Sequence, residues 1–285
     1  MKRFSLTLIS LSLAGSLFAQ SSSSDASSIS SAFKTYWEKL KASPLKMELA
    51  LTSESLRNGS HVNGTDNVLD VYAKYKLTDK DMLRLNPSFE YVKQNSYNPA
   101  DEDTSEFYFQ YVELLYRRTL LTADKNGFSL SADLRQAYIP SDEYRDSMSA
   151  TGWTATRLNF SKDFGKFNLT SIARLDVYNR TSANPANNKT LARWYIIPGY
   201  TITDKLSAST NFYWTETTKA AEAAGKHLTS NYVSATPQLY YAFSKDVSGS
   251  LYTIFKLTQS GDGRTIVKDW NETATFGANL TLSVF

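Results

Sequence analysis

Cysteine is absent from the sequence, and histidine occurs only twice. Without thiols there is no disulfide, no cysteine nucleophile and no thiolate metal site. An exported chain of this size must then hold itself together by a large core or a closed sheet. Long apolar runs are missing too: after the first stretch, none approaches the ~20 residues that a membrane-spanning helix needs. So is any excess of charge. Removing Lys2 and Arg3 from 31 basic side chains leaves 29 against 28 acidic ones, and nothing in that balance points to a nucleic-acid partner. No phosphate-binding glycine motif and no cluster of metal ligands occurs, so no cofactor is expected.

What is present begins with "MKRFSLTLISLSLAGSLFAQ". Lys2 and Arg3 precede an apolar run that ends in small residues, the pattern of a secretory signal peptide over 1–19 cleaved after Ala19. The tract "SSSSDASSISS" (21–31) is too polar and too simple to pack and reads as a linker. In "SAFKTYWEKLKASP" (31–44), Phe33, Tyr36, Trp37 and Leu40 fall on one face of a short amphipathic helix stopped by Pro44. The spacing predicts a helix resting on the following domain or on a membrane surface, with insertion into a pore as the alternative. Residues 20–45 thus form a linker and helix, and 46–285 form the main domain.

From residue 46 onward the apolar period is two. In "NVLDVYAKYKLTD", Leu69, Val71, Ala73 and Tyr75 alternate with Asp70, Tyr72, Lys74 and Lys76; "KFNLTSIARLDVYN" and "NYVSATPQLYYAFS" repeat the pattern. Period two means strands with one apolar and one polar face. About twelve such segments are predicted, most far longer than the ~5–6 residues common in soluble strands. Their connections alternate in length. Short polar knots ("LTDKDML", "LTADKNGFSL", "FSKDFGKFNL", "ITDKLS", "FSKDVSGSL") alternate with longer polar stretches at 57–66, 95–105, 141–149, 180–190, 216–226 and 259–266. The Asp, Lys and Gly of the knots predict tight hairpins with residues at positive φ. Pro198 and Pro237 predict breaks in the ladder, and the phase change within "EFYFQYVELLYRRTLL" predicts a bulge.

With signal peptide, alternation, loop asymmetry and a final "NLTLSVF" in place, the chain resembles the bacterial outer-membrane β-barrel proteins. The resemblance implies an all-β transmembrane antiparallel barrel of about 12 strands, closed because lipid satisfies no backbone group. Short turns would face the periplasm and long loops the exterior. It also implies a monomer surrounded by outer-membrane lipid and lipopolysaccharide, with Phe285 read by the assembly machinery. The outward series Ala274, Phe276, Ala278, Leu280, Leu282 and Val284 stands one step out of phase with that terminal signal.

If the apolar faces meet lipid, the lumen receives Lys74, Lys76, Arg84, Arg117, Arg135, Arg157, Arg174, Arg193 and Lys256, together with Glu48, Asp70, Glu90, Glu113, Asp133 and Asp176. A charge on the lipid face would cost ~2–4 kcal/mol near the midplane. Such a lumen supports passive diffusion of small polar solutes, anions included, with the arginines gripping carboxylates or phosphates. The same charges can instead pair, Asp133 with Arg135 and Arg174 with Asp176, and cement a closed structural or surface-interaction barrel. An enzyme is the third reading and is not expected. Outer-membrane phospholipases carry a His-x-Ser arrangement on one strand face, whereas His227 and Ser230 are three apart and fall on opposite faces. The acidic stretch Asp101, Glu102, Asp103 and Glu106 reads as a solvated outer loop, and "KAAEAAGK" (219–226) as a helical turn.

Overall fold

A computed structural model describes residues 38–39, 42–58, 61–94, 104–181, 188–223, 226–260, 265–266 and 274–285. The signal peptide and most of the 31–44 helix lie outside the described residues.

The alternating stretches fold as β1 (Leu45–Asn58), β2 (His61–Lys76), β3 (Asp81–Gln94), β4 (Thr104–Leu121), β5 (Ser129–Tyr138), β6 (Ala150–Phe164), β7 (Phe167–Arg180), β8 (Asn188–Thr201), β9 (Leu206–Ala223), β10 (Lys226–Ala242), β11 (Val247–Ser260), β12 (Thr265–Ile266) and β13 (Thr275–Ser283). Each long strand pairs antiparallel with its neighbour in sequence, β11 pairs with β13, and β13 returns to β1. The result is a closed barrel of 12 strands, with the two-residue β12 as an appendage of β11. Closure reaches the last residue: Met47 N donates to Phe285 O at 3.2 Å and Val284 N to Met47 O at 2.8 Å.

The barrel is apolar outside and polar inside. Leu134 is 53% exposed, while its neighbours Asp133 and Arg135 are only 4% and 5% exposed. Leu69, Leu158, Trp194, Leu251 and Leu280 continue the exposed belt, whereas Glu113, Asp176, Ser88 and Thr215 are buried. This inversion suits a wall that meets lipid outside.

Turn chemistry follows side-chain oxygens more than backbone handedness. Thr78 Oγ1 accepts from the N–H groups of Lys80 and Asp81 at 3.1 and 3.0 Å. Thr203 does the same for Lys205 and Leu206, and Ser244 for Asp246 and Val247. A hydroxyl at the first corner thus ties three of the recurring knots. Among the described knots, positive φ is confined to Gly127 (70°), which ends a short helix α1 (Ala123–Asn126), and Gly165 (68°). Positive φ is thus met in two of the five knots, and a hydroxyl-tied turn takes its place in the other three.

The predicted breaks are present. Pairing of β8 with β9 lapses between Ile196↔Phe212 and Gly199↔Ser209, beside Pro198. Pairing of β10 with β11 lapses between Ala235↔Phe255 and Gln238↔Tyr252, beside Pro237. In β4 the register shifts so that Gln110 is the extra residue. A break that the sequence reading missed lies at Pro87, where β2 and β3 skip from Asp70↔Ser88 to Ala73↔Leu85.

Two of the expected long loops are largely strand. β1 runs to Asn58 and β2 resumes at His61, and β9 runs to Ala223 with β10 resuming at Lys226. Of the helical turn expected at 219–226, the described residues 219–223 and 226 are extended strand instead, because pairing such as Ala223↔Lys226 outweighs the helix propensity of alanine. The β5–β6 connection instead holds a helix, α2 (Asp142–Met148), capped by Ser141 Oγ accepting from Tyr144 N at 3.3 Å.

Candidate functional site: the charged lumen

Strand register places the expected lumen charges on one face of the wall. One line of direct neighbours runs Arg117↔Asp133↔Arg157↔Arg174↔Arg193↔Thr215↔Tyr232 across β4 to β10. A second runs Lys46↔Lys74↔Arg84↔Leu115↔Arg135↔Ala155↔Asp176 across β1 to β7. Lys256 stands opposite Ser234, also inward, and is exposed.

The charges interlock. Arg117 donates from Nε and Nη2 to the two carboxylate oxygens of Asp133 at 2.6 and 2.9 Å. Asp133 also meets Arg157 Nε at 3.2 Å and Arg135 Nη2 at 3.6 Å. Glu113 accepts from Arg84 at 2.8 Å and from Arg135 at 3.2 Å. Arg174 Nε donates to Asp176 at 2.7 Å, and Lys74 to Glu48 at 2.8 Å. Asp70 pairs with a neutral donor, Asn86 Nδ2, at 3.0 Å, and Lys76 reaches Asp79 in the adjoining turn at 2.6 Å. That ammonium holds the Asp79 carboxyl below its usual range. Like charges opposite one another on neighbouring strands destabilise a sheet. Arg157, Arg174 and Arg193 nevertheless stand abreast. Arg193 makes no ion pair with a carboxylate among the described residues; its Nη1 donates to Tyr195 Oη at 3.4 Å, and its Nε is buried without a partner.

Beyond Arg193 the inner wall turns neutral and aromatic. Tyr195 and Tyr213 have ring centroids 5.7 Å apart, and Tyr213 and Tyr232 6.0 Å apart. A second group joins Tyr111 to Trp153 at 5.1 Å and Trp153 to Tyr178 at 6.2 Å. These rings were legible only as polar-face positions of their strands. Nothing in the sequence signalled Tyr144, which α2 lowers onto the inner face. Its ring lies 5.6 Å from Tyr108, and its hydroxyl accepts from Gln110 Nε2 at 3.3 Å. Burial pushes that hydroxyl above its ordinary range. The side chains of His61 and His227 lie outside the described residues.

No protein-family model matches the sequence, and no curated protein matches it. The fold, in contrast, has clear counterparts. An outer-membrane channel from Pseudomonas putida F1 superposes with a TM-score of 0.62 at 11% identity, over 85% of this chain and 96% of the other. The NanC porin gives 0.49 at 12% identity, over 82% and 98%. The architecture is that of an outer-membrane β-barrel of 12 strands.

Proposed function

We propose that the chain is an outer-membrane channel through which small polar solutes diffuse passively, with a preference for anions. The row Arg157, Arg174 and Arg193 carries this reading. In the middle of the inner wall, the arginines at 84, 117, 135, 157, 174 and 193 outnumber the carboxylates Asp70, Glu113, Asp133 and Asp176. Arginine presents a planar fork of donors suited to carboxylate and phosphate, and a basic excess along a water path favours anions. The similarity of fold to an outer-membrane channel supports the reading at the level of architecture. The protein acts by attracting and releasing solutes rather than by chemistry. It works as a monomer in outer-membrane lipid and lipopolysaccharide, inserted by machinery that reads Phe285, after export by a cleaved signal peptide.

Single-channel recording of the refolded protein across a salt gradient tests this. Steady conductance with an anion-selective reversal potential is expected, and Arg174→Gln with Arg193→Gln should shift that potential toward the cation value. The second reading, a barrel closed by its own ion pairs, draws on the near-complete burial of Glu113, Asp133, Arg135 and Asp176 in mid-lumen. Silence from protein shown to be folded would establish it in place of the channel.

A further inference from the structure

On β8, Arg193 and Tyr195 are two residues apart and share the inner face. The register carries that pattern onward: Arg193 stands opposite Thr215 and Thr215 opposite Tyr232, while Tyr195 stands opposite Tyr213. A guanidinium thus borders a run of rings. Rings approach from the other side as well. Tyr178 on β7, with its centroid 6.2 Å from that of Trp153, lies within electrostatic reach of both Arg193 and Tyr232.

Charge is available at this point of the arginine row. The arginines at 84, 117, 135, 157 and 174 each meet a carboxylate, from Glu113, Asp133 or Asp176. Arg193 does not. Asp176 lies within its electrostatic reach, but that carboxylate accepts from Arg174 at 2.7 Å, so two adjacent arginines share one acid. One cation in excess suits a monoanion. Hydrogen bonding is left open too. Thr215 is fully buried, and among the described residues neither its Oγ1 nor Arg193 Nε has a partner. A buried polar group in that state costs free energy until a partner is supplied.

We infer that Arg193 and the tyrosines around it form a binding site for an aromatic monocarboxylate. The carboxylate lies on the Arg193 fork beside Thr215, and the ring lies among Tyr178, Tyr195, Tyr213 and Tyr232. This names the solute class of the channel proposed above, and as a statement about transport it rests on that reading. A guanidinium holds a carboxylate in its own plane by two parallel bonds. Aromatic rings pack tilted or edge to face at centroid distances of about 4.5–7 Å. The tyrosine pairs here already do so, at 5.7 Å and 34° and at 6.0 Å and 79°, and their half-buried rings keep an open part toward the lumen. An inorganic anion would leave these rings unused, and a sugar acid would bring hydroxyls that ring faces do not bond.

Titration calorimetry of the full refolded chain in neutral detergent tests the site, with benzoate as the probe and acetate and glucuronate as comparators. Benzoate should bind saturably, at least tenfold more tightly than either comparator. Arg193→Gln should lower that binding below detection, and Tyr213→Leu with Tyr232→Leu should weaken it fivefold or more. Tyr195→Leu gives a second reading if the double variant fails to fold. In bilayers, benzoate should block the chloride current at lower concentration than acetate, and Arg193→Gln should remove the difference. Glucuronate binding as tight as that of benzoate, or benzoate binding indifferent to the tyrosines, would overturn the site. Anion-selective current without benzoate binding would overturn it too, while leaving the channel in place. Arg193-dependent benzoate binding by a protein that never conducts would uphold the site and remove the channel function.

Discussion

Arg117 on β4 grips Asp133 on β5 with two parallel hydrogen bonds, and the carboxylate so held also faces Arg135 and Arg157. Its side chain is fully buried, whereas Arg117 remains about a third exposed. One acid thus compensates several guanidinium groups in the middle of the lumen.

Asp133→Asn should therefore destabilise the barrel far more than an average substitution does. Removing one member of a buried ion pair typically costs about 3–5 kcal/mol, and the partial exposure of Arg117 places the expectation at the lower end, about 3 kcal/mol. Urea unfolding in detergent, followed by tryptophan fluorescence, would measure it. A loss under about 1 kcal/mol would show that water or the remaining acids already compensate these arginines.

Arg193→Gln should behave in the opposite way. With no carboxylate paired to Arg193 among the described residues, the variant should keep the wild-type unfolding midpoint while lowering anion selectivity in a bilayer. A large drop in stability with unchanged selectivity would make Arg193 a structural residue.

Gly277 lies beneath the ring of Tyr252: a Cβ there would stand 2.3 Å from Tyr252 Cζ. The same tyrosine donates to Glu54 Oε1 at 2.7 Å. Gly277→Ala should cost about 1–3 kcal/mol, as overpacking does. Adding Tyr252→Ala should recover part of it, because residues in contact are not additive. Additive losses in a double-mutant cycle would count against this contact.

Leu134→Arg puts a charge on the lipid face between two inward charged residues. A cost of about 2–4 kcal/mol is expected, against little change for an inward swap such as Ser131→Asn. Heat-modifiable mobility on gels after folding into vesicles reports both. Equal tolerance of the two would contradict the inside–outside assignment.

Deleting 142–148 removes α2 and with it Tyr144 from above Tyr108 and Gln110. Unit conductance should rise without loss of the barrel. An unchanged conductance would mean that α2 lies off the solute path.

The wall was legible in the sequence because period-two alternation survives wherever one face meets lipid and the other does not; Leu134 between Asp133 and Arg135 is the plainest case. The pairs two residues apart, Asp133 with Arg135 and Arg174 with Asp176, were also legible, since both members share a face. Which arginine meets Glu113 was not, because that depends on the register between β3, β4 and β5. Register itself is shifted by bulges such as Gln110, whose position no local pattern fixes. The descent of Tyr144 onto the inner face was hidden for a different reason. Loop geometry is set by contacts made after folding, not by periodicity. Pro87 escaped notice because its neighbours keep the alternation intact.

The seam between the first and last strands governs when the molecule can exist. Asn279 Nδ2 donates to Thr52 Oγ1 across 227 residues of sequence, while every other long strand meets its neighbours in chain order. Local hairpins can zip as soon as their two arms are present, but β1 lacks its second partner until β13 has arrived. An unpaired edge is not tolerated in lipid, and contacts between distant residues form slowly. Insertion must therefore wait for the whole chain, and a protein cut before Thr275 should fail to fold rather than fold with one strand fewer.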